Sequence, residues 1–391
     1  MFSQVKKPDT VFCDCQSAID IKLSSKAKYG KTIAPLSSGN FQEISPAKQK
    51  TKFAFEKEHH SAWYKLTILS NGLLTFDITP IKSDDDYDFM LFKDSSTLFC
   101  DSLLANKKTP IRACISRDKE ELKGKTGLSF KAISPFVKNG IGSAYCNPID
   151  VKKGEVYYLV LDNVYKKGEG HLIEFFISQN TDIIGTITDE NKKPIKAEIT
   201  LTNSKGDTVM THESDTDGSY HFTAPIILSE QYVLNFYNDS CFTFSQIVLG
   251  ADISKTKTLK QILLKLRKGK KHSVGAINFV GDSPEYIPQA VPAINNLYRL
   301  LLKNPNLKIE IIGHTNGCSN SLSLFKAYGV NSQGLSELRA TTIVKELVLK
   351  GIDPDRIKSS GKGCIEMIFK NPKSDYEGQQ NRRVEIMVLN Y

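Results

Sequence analysis

The sequence predicts a multidomain chain in which two all-β sandwiches precede an α/β unit. Three observations carry this reading. At 391 residues the chain exceeds what one ordinary core fills. Over residues 15–179, and again over 182–266, short apolar runs alternate with Gly, Asn, Asp and Ser turns, as half-buried strands do. After residue 272 the hydrophobic period changes from that of strands to that of helices.

Composition sets the outer bounds. The hydrophobic and charged fractions, 40% and 24%, are those of a soluble globular protein. The longest apolar helical stretch, residues 297–302, contains Arg299 and is followed by Lys303, so no transmembrane segment is expected. Residues 1–14 form an N-terminal segment, and Met1-Phe2-Ser3-Gln4 lacks the basic and apolar regions of a complete signal peptide. Two origins stay open for it: the tail of a signal peptide, or a mature start carrying an added Met. The eight cysteines are even in number and sit mostly beside turns, which reads as disulfide staples in an oxidising compartment. Zinc competes with this reading, but no CxxC pair occurs. The net charge of +9 is densest over residues 265–272. No recognition helix, RNA-binding strand or zinc finger accompanies that run, so nucleic acid is not an expected partner. A basic surface suits an anionic cell-wall polymer.

In the first zone, strands are expected at 63–68, 74–78, 87–92, 156–161 and 172–177, with 117–125 as a charged loop. Cys100 and Cys114 flank a short excursion and are expected to close it as a disulfide loop. Asp84, Asp86 and Asp88 share one face of a strand, and Asp162 can approach them. Such hard oxygen ligands suit Ca²⁺, so a calcium site and a solvated acidic edge both stay open. The run is not an EF-hand, since Phe89 and Ser95 stand where its Gly and Glu must be. No other cofactor is expected. The runs Cys15-Gln16-Ser17-Ala18-Ile19, Asp86-Tyr87-Asp88-Phe89 and Gly154-Glu155-x-Tyr157-Tyr158-Leu159-Val160 resemble the jelly-roll-like sandwiches related to bacterial pre-peptidase C-terminal domains.

The second zone carries Gly185-x-Ile187-x-Asp189, Pro194-Ile195-x-Ala197-x-Ile199 and Thr216-Asp217-Gly218-x-Tyr220-x-Phe222. Together these resemble a carboxypeptidase regulatory-like, transthyretin-type sandwich, which implies a spacer or interaction module without active-site residues. Asp215 and Asp217 beside Gly218 read as a hairpin turn.

In the third zone, Ala290, Val291, Ile294, Leu297, Tyr298, Leu301 and Leu302 line one helical face, with Pro288 and Pro292 in its first turns. A strand is expected at 307–312, a second helix from about Ser336 to its stop at Gly351, and further strands at 356–360 and 383–389. In the last strand Val384, Ile386 and Val388 alternate with Glu385 and Met387, so one buried face is expected.

Four motifs stand out in order: Gly313-His314-Thr315-Asn316, Leu335-Ser336-x-x-Arg339-Ala340, Gly361-x-Gly363 and Asn381-Arg382-Arg383-Val384-Glu385. They resemble the OmpA-like, peptidoglycan-associating domain over nearly all of residues 273–391. The resemblance implies a βαβαβ-type fold with a pocket between the loop after the strand at 307–312 and the start of the second helix. Such a pocket holds the free end of diaminopimelate in a wall stem peptide. An acid takes its ammonium and a guanidinium its carboxylate. The resemblance maps the guanidinium onto Arg339, places Thr315, Asn316 and Arg383 at the pocket, and brings Cys318 and Cys364 together at its rim as a disulfide. Asn316 stands where the family has Asp, a change worth about one power of ten in affinity for the ammonium. The competing reading for Arg339 is a surface ion pair with Glu337 or Asp375.

HExxH, GxSxG and P-loop motifs do not occur, so no enzyme is expected. The functional expectation is a periplasmic adaptor that ties an outer-membrane assembly to peptidoglycan. The domain combination resembles envelope proteins of Bacteroidota-type bacteria that serve secretion, including type IX secretion, or gliding. The alternatives are a scaffold subunit that has lost wall binding, and a glycan-binding adhesion protein.

Overall fold

A computed structural model describes residues 12–32, 37–44, 55, 57–83, 85–94, 98–116, 124–138, 140, 143–165, 168–255, 258–318 and 327–391. The chain divides into two compact units, Met1–Asn180 and Thr181–Tyr391.

The first unit is a sandwich. One sheet runs in the order Ile19–Leu23, Ser61–Ile68, Val156–Asn163, Tyr87–Lys93, Arg112–Cys114, Phe136–Val137. In the other, the first part of the long strand His171–Thr188 pairs with Lys26–Thr32 and Gly72–Pro80, followed by Thr126–Leu128 and Tyr145–Cys146. Period-two alternation is plain in the long strand, where His171, Ile173, Phe175 and Ile177 turn inward. The core between the sheets gathers Tyr64, Phe76, Phe89, Leu159 and Phe175. The Ser61–Ile68 strand is buried on both faces, because a second cluster of Trp63, Phe92, Phe99 and Tyr158 covers the outer side of its sheet. The helix Phe99–Leu104 supplies that cover, and a Cys15–Cys100 disulfide pins it.

This corrects the expected Cys100–Cys114 loop. Cys100 sits on the covering helix and reaches Cys15, whereas Cys114 lies on a strand facing the core as a free thiol.

In the second unit, residues 185–188 pair with Leu259–Ile262, and Ser219–Ile226 joins the same strand. A four-stranded sheet, Thr208–Glu213, Glu198–Asn203, Gln231–Tyr237, Phe244–Leu249, faces them across a core containing Ile199, Tyr220, Leu234 and Phe236. A second four-stranded sheet runs Lys271–Ser273, Val384–Asn390, Lys308–Gly313, Ile357–Gly361. The last two strands are parallel and are joined by the helix Ser332–Leu349, as a parallel pair requires a crossover. The helix Val291–Lys303 begins with Pro in its first turn and presents Ile294, Leu297 and Leu301 to the same core.

Two local expectations shift. The second helix starts at Ser332 rather than near Ser336, because Asn331 caps it by accepting from Gly334 N at 3.0 Å. In the last strand Glu385 is buried along with Val384 and Ile386, because cationic partners meet it there.

Candidate functional site

The site lies where the strand Lys308–Gly313 gives way to a loop beside the first turn of the helix Ser332–Leu349. Two glycines let the helix come this close. A Cβ on Gly313 would meet Ser336 O at 2.0 Å, and one on Gly361 would meet Ser336 Oγ at 2.3 Å. The loops are then fixed by hydrogen bonds to their backbone: Gly363 N donates to Ser336 Oγ at 2.8 Å, Thr315 N to Gly363 O at 2.9 Å, and Gln333 Nε2 to Gly361 O at 2.7 Å.

Arg339 projects from the helix into the protein and is only 1% exposed. Its Nε donates to Ser283 O at 3.1 Å, Nη1 to His314 O at 3.2 Å and Nη2 to Val280 O at 3.1 Å. The guanidinium lies 5.1 Å from the centre of the Phe279 ring. Three of its five N–H groups are thereby used, and one on each terminal nitrogen remains. All three partners are neutral carbonyls, and among the described residues no carboxylate forms an ion pair with it. Neither Glu337 nor Asp375 is its partner, so the surface ion pair is not formed. Burial, and then the neighbouring Arg382, lower Arg339 to about 10, with Asp282 opposing them.

The guanidinium borders a cavity of about 130 Å³ whose polar walls include Asp282, Thr315, Asn316, Ser332 and Arg382. Thr315 is buried and donates its hydroxyl to Gly317 O at 3.3 Å. Asn316 Oδ1 accepts from Asn381 Nδ2 at 2.8 Å, and Asn381 also bonds both backbone groups of Phe369. Asn316 carries no charge, so it offers an ammonium at most a neutral acceptor, and its carbonyl already takes one bond. The acid in the wall is Asp282, an exposed residue whose backbone is left-handed at φ 51°.

Arg383 is not at the cavity, which corrects the expectation from the sequence. It points with Glu385, two residues on and on the same face of the strand, and bonds Glu385 Oε1 at 3.0 and 2.7 Å and Glu366 O at 3.0 Å. Arg382 takes the wall position instead. Sequence reasoning also missed Asp282. No motif marked Asp282, and only the path of the loop after Phe279 brings it to the cavity. Cys318 and Cys364 are joined by a disulfide, with Cys318 next to the cavity-lining Gly317.

Behind the cavity, Glu385 Oε2 stands 3.2 Å from His314 Nε2 and 2.9 Å from Lys271 Nζ. Burial alone would raise Glu385. The close approach of His314, Lys271 and Arg383 overcomes it and holds the carboxyl well below the usual carboxylate range. Among the described residues, His314, Glu366 and Glu385 are the set whose ligand atoms gather closely enough for a metal ion. Lys271 Nζ already supplies a cation there, 2.6 Å from Glu366.

Of the candidate calcium ligands in the first unit, Asp84 lies outside the described residues. Asp88 is raised well above its ordinary value by burial and then by Asp86 and its other neighbours. Asp162 is occupied by the His59 and His60 amides at 2.7 and 2.9 Å and by the His59 ring at 2.8 Å.

Residues 278–383 match the family model described as OmpA family. "Probable lipoprotein YiaD" of Escherichia coli (strain K12) is 27% identical over 138 residues, 35% of this chain and 55% of that protein. "Outer membrane protein A" of Bordetella avium is 46% identical over 55 residues, 14% of this chain and 28% of that protein. The chain thus spans about half or less of these curated relatives. Among solved structures, the periplasmic domain of Helicobacter pylori MotB is 21% identical, covering 32% of this chain and 80% of its own at a TM-score of 0.28. The peptidoglycan-associated lipoprotein from Burkholderia pseudomallei is 20% identical, covering 29% and 87% at a TM-score of 0.25. Among the described residues no helix is long and apolar enough to cross a membrane. The motifs around Gly313, Arg339 and Arg383, with the match over residues 278–383, make the C-terminal part of this chain an OmpA-like domain.

Proposed function

We propose that the chain is a non-enzymatic cell-envelope adaptor, located in the periplasm, whose OmpA-like domain tethers an outer-membrane or periplasmic assembly to peptidoglycan. In this reading the two sandwiches, residues 15–179 and 182–266, face protein partners of a secretion or gliding machine, and residues 273–391 face the wall. The observation that carries it is Arg339: a buried cation at the edge of a polar cavity, bonded among the described residues only to neutral carbonyls, which leave two of its N–H groups over. A buried charge calls for an opposite one. The carboxylate of a diaminopimelate end supplies it, and Arg382 adds a second cation to the same wall. The ammonium of that residue then turns to Asp282, since Asn316 is neutral and its carbonyl is engaged.

Titration of the full chain with a diaminopimelate-containing muropeptide tests this. Binding below millimolar ligand is expected, weakened about tenfold by Asp282→Asn or Arg382→Gln, the loss of one charge-assisted bond. No binding at millimolar ligand overturns it. Asn316 also favours a second reading, a scaffold subunit whose cavity no longer takes a wall fragment. Retention of the chain on insoluble sacculi separates the two, because a scaffold stays in the supernatant.

A further inference from the structure

Cys114 and Cys146 stand on facing sheets of the N-terminal sandwich. Cys114 closes the strand Arg112–Cys114, in register with Phe89. Cys146 closes the strand Tyr145–Cys146, in register with Leu128. Both are fully buried in the core cluster between the sheets. The Cys146 thiol donates to Ala113 O at 3.2 Å, the residue next to Cys114 in the chain. The strands here, Arg112–Cys114, Thr126–Leu128, Phe136–Val137 and Tyr145–Cys146, run two or three residues each. Such short ladders tie these strands into their own sheets with few backbone bonds, so a covalent link between the sheets adds most here.

We propose that Cys114 and Cys146 form a third disulfide, an inter-sheet staple across the short-stranded part of the sandwich. The chain already carries Cys15–Cys100 and Cys318–Cys364, so the compartment that closes those bonds oxidises thiols. The oxidant is a disulfide of the glutathione or protein dithiol class. The Cys114 thiolate attacks one of its sulfurs and expels a thiol. The Cys146 thiolate then attacks the mixed disulfide at the Cys114 sulfur and expels the second thiol. The two thiol protons and two electrons end on the oxidant, leaving one new S–S bond in the chain. The neighbouring Cys114, and then burial, hold the Cys146 thiol far above its ordinary range in the closed core. The exchange therefore belongs to folding, before the sheets close.

The test is a thiol count on the full chain, reduced and unfolded, then refolded in oxidised and reduced glutathione. After denaturation without reductant, alkylation is expected at two cysteines, Cys13 and Cys241. Digestion is expected to release a peptide linking Cys114 to Cys146. The same chain secreted into an oxidising compartment is expected to weigh less than its reduced form by the two hydrogens of each of three disulfides. Alkylation at Cys114 and Cys146 in a chain that has closed Cys15–Cys100 and Cys318–Cys364 overturns the proposal. A cross-linked peptide joining either one to Cys13 or Cys241 overturns it equally.

Discussion

Arg339 serves the fold and the cavity with the same side chain. Its three hydrogen bonds satisfy the carbonyls of Ser283, His314 and Val280, drawing the loop after Phe279 onto the helix. Truncation to Ala takes this donor from the Ser283 and His314 carbonyls, whose bonds to it are buried, at about 1–3 kcal/mol each, besides the lost packing on Phe279. Urea unfolding of Arg339→Ala is expected to show a loss of at least about 3 kcal/mol, so ligand tests belong on Asp282 and Arg382 instead. The guanidinium was legible in the sequence because Leu335-Ser336-x-x-Arg339 fixes it relative to a helix start. Which of two adjacent arginines reaches the cavity was not, since Arg382 and Arg383 differ only in the face the backbone gives them. Glu58 was equally silent. Burial first, and then Glu43, push its carboxyl up to about 9, so it is neutral in the fold at ordinary pH. The folded state then binds more protons than the unfolded one from about pH 4.5 to about pH 9, and stability falls as pH rises through that window. Glu58→Gln removes this loss. Its thermal midpoint is expected to exceed the native one at pH 8, with the gap closing near pH 4.

At the scale of elements, the site depends on how near the helix Ser332–Leu349 sits to the ends of two parallel strands. Gly361 faces not only Ser336 Oγ but also the Glu337 backbone nitrogen, 2.6 Å from where a Cβ would be. Backbone cannot rotate away as a side chain can, so Gly361→Ala must lift the first helical turn. The expected cost is about 1–3 kcal/mol, as for other overpacked contacts, read as a lower denaturation midpoint together with weaker muropeptide binding. The contact accounts physically for a glycine that the sequence showed only as part of a motif. The long, strongly patterned elements were readable for the same kind of reason: 171–178 alternates over four inward residues, and the helix around Leu297 keeps one apolar face. Phe136–Val137 and Tyr145–Cys146 are too short for any period to show. The second helix starts four residues before the sequence expectation, because the Asn331 cap offsets the weak helix propensity of Gly334 in its first turn.

At the scale of the whole molecule, a change of hydrophobic period is not a break in the core. The sequence pattern turns from strand to helix near residue 272, yet Tyr237 and Phe242 of the preceding sandwich lie in the same cluster as Leu297, Ile311 and Ile343. Arg299, on the outer side of the first helix, grips Glu198 with both terminal nitrogens at 2.6 and 3.1 Å and lies 4.0 Å over the Tyr237 ring. Asn304 adds a bond to Asp239 O at 2.8 Å. Within Thr181–Tyr391, then, the OmpA-like domain and the sandwich before it share apolar contacts and a forked ion pair, as the proposed tether would need. The fork is partly exposed, so its worth is limited by solvent screening despite the good geometry. A double-mutant cycle with Arg299→Ala and Glu198→Ala is expected to give a coupling of about 1 kcal/mol in denaturant unfolding. The same melts are expected to show residues 181–391 unfolding in one transition in every variant, because the shared apolar cluster survives loss of the ion pair. A native chain that melts this region in two separate steps, one for the strands around Leu234 and one for the helices around Leu297, would show that the seam at residue 272 divides two independent bodies after all.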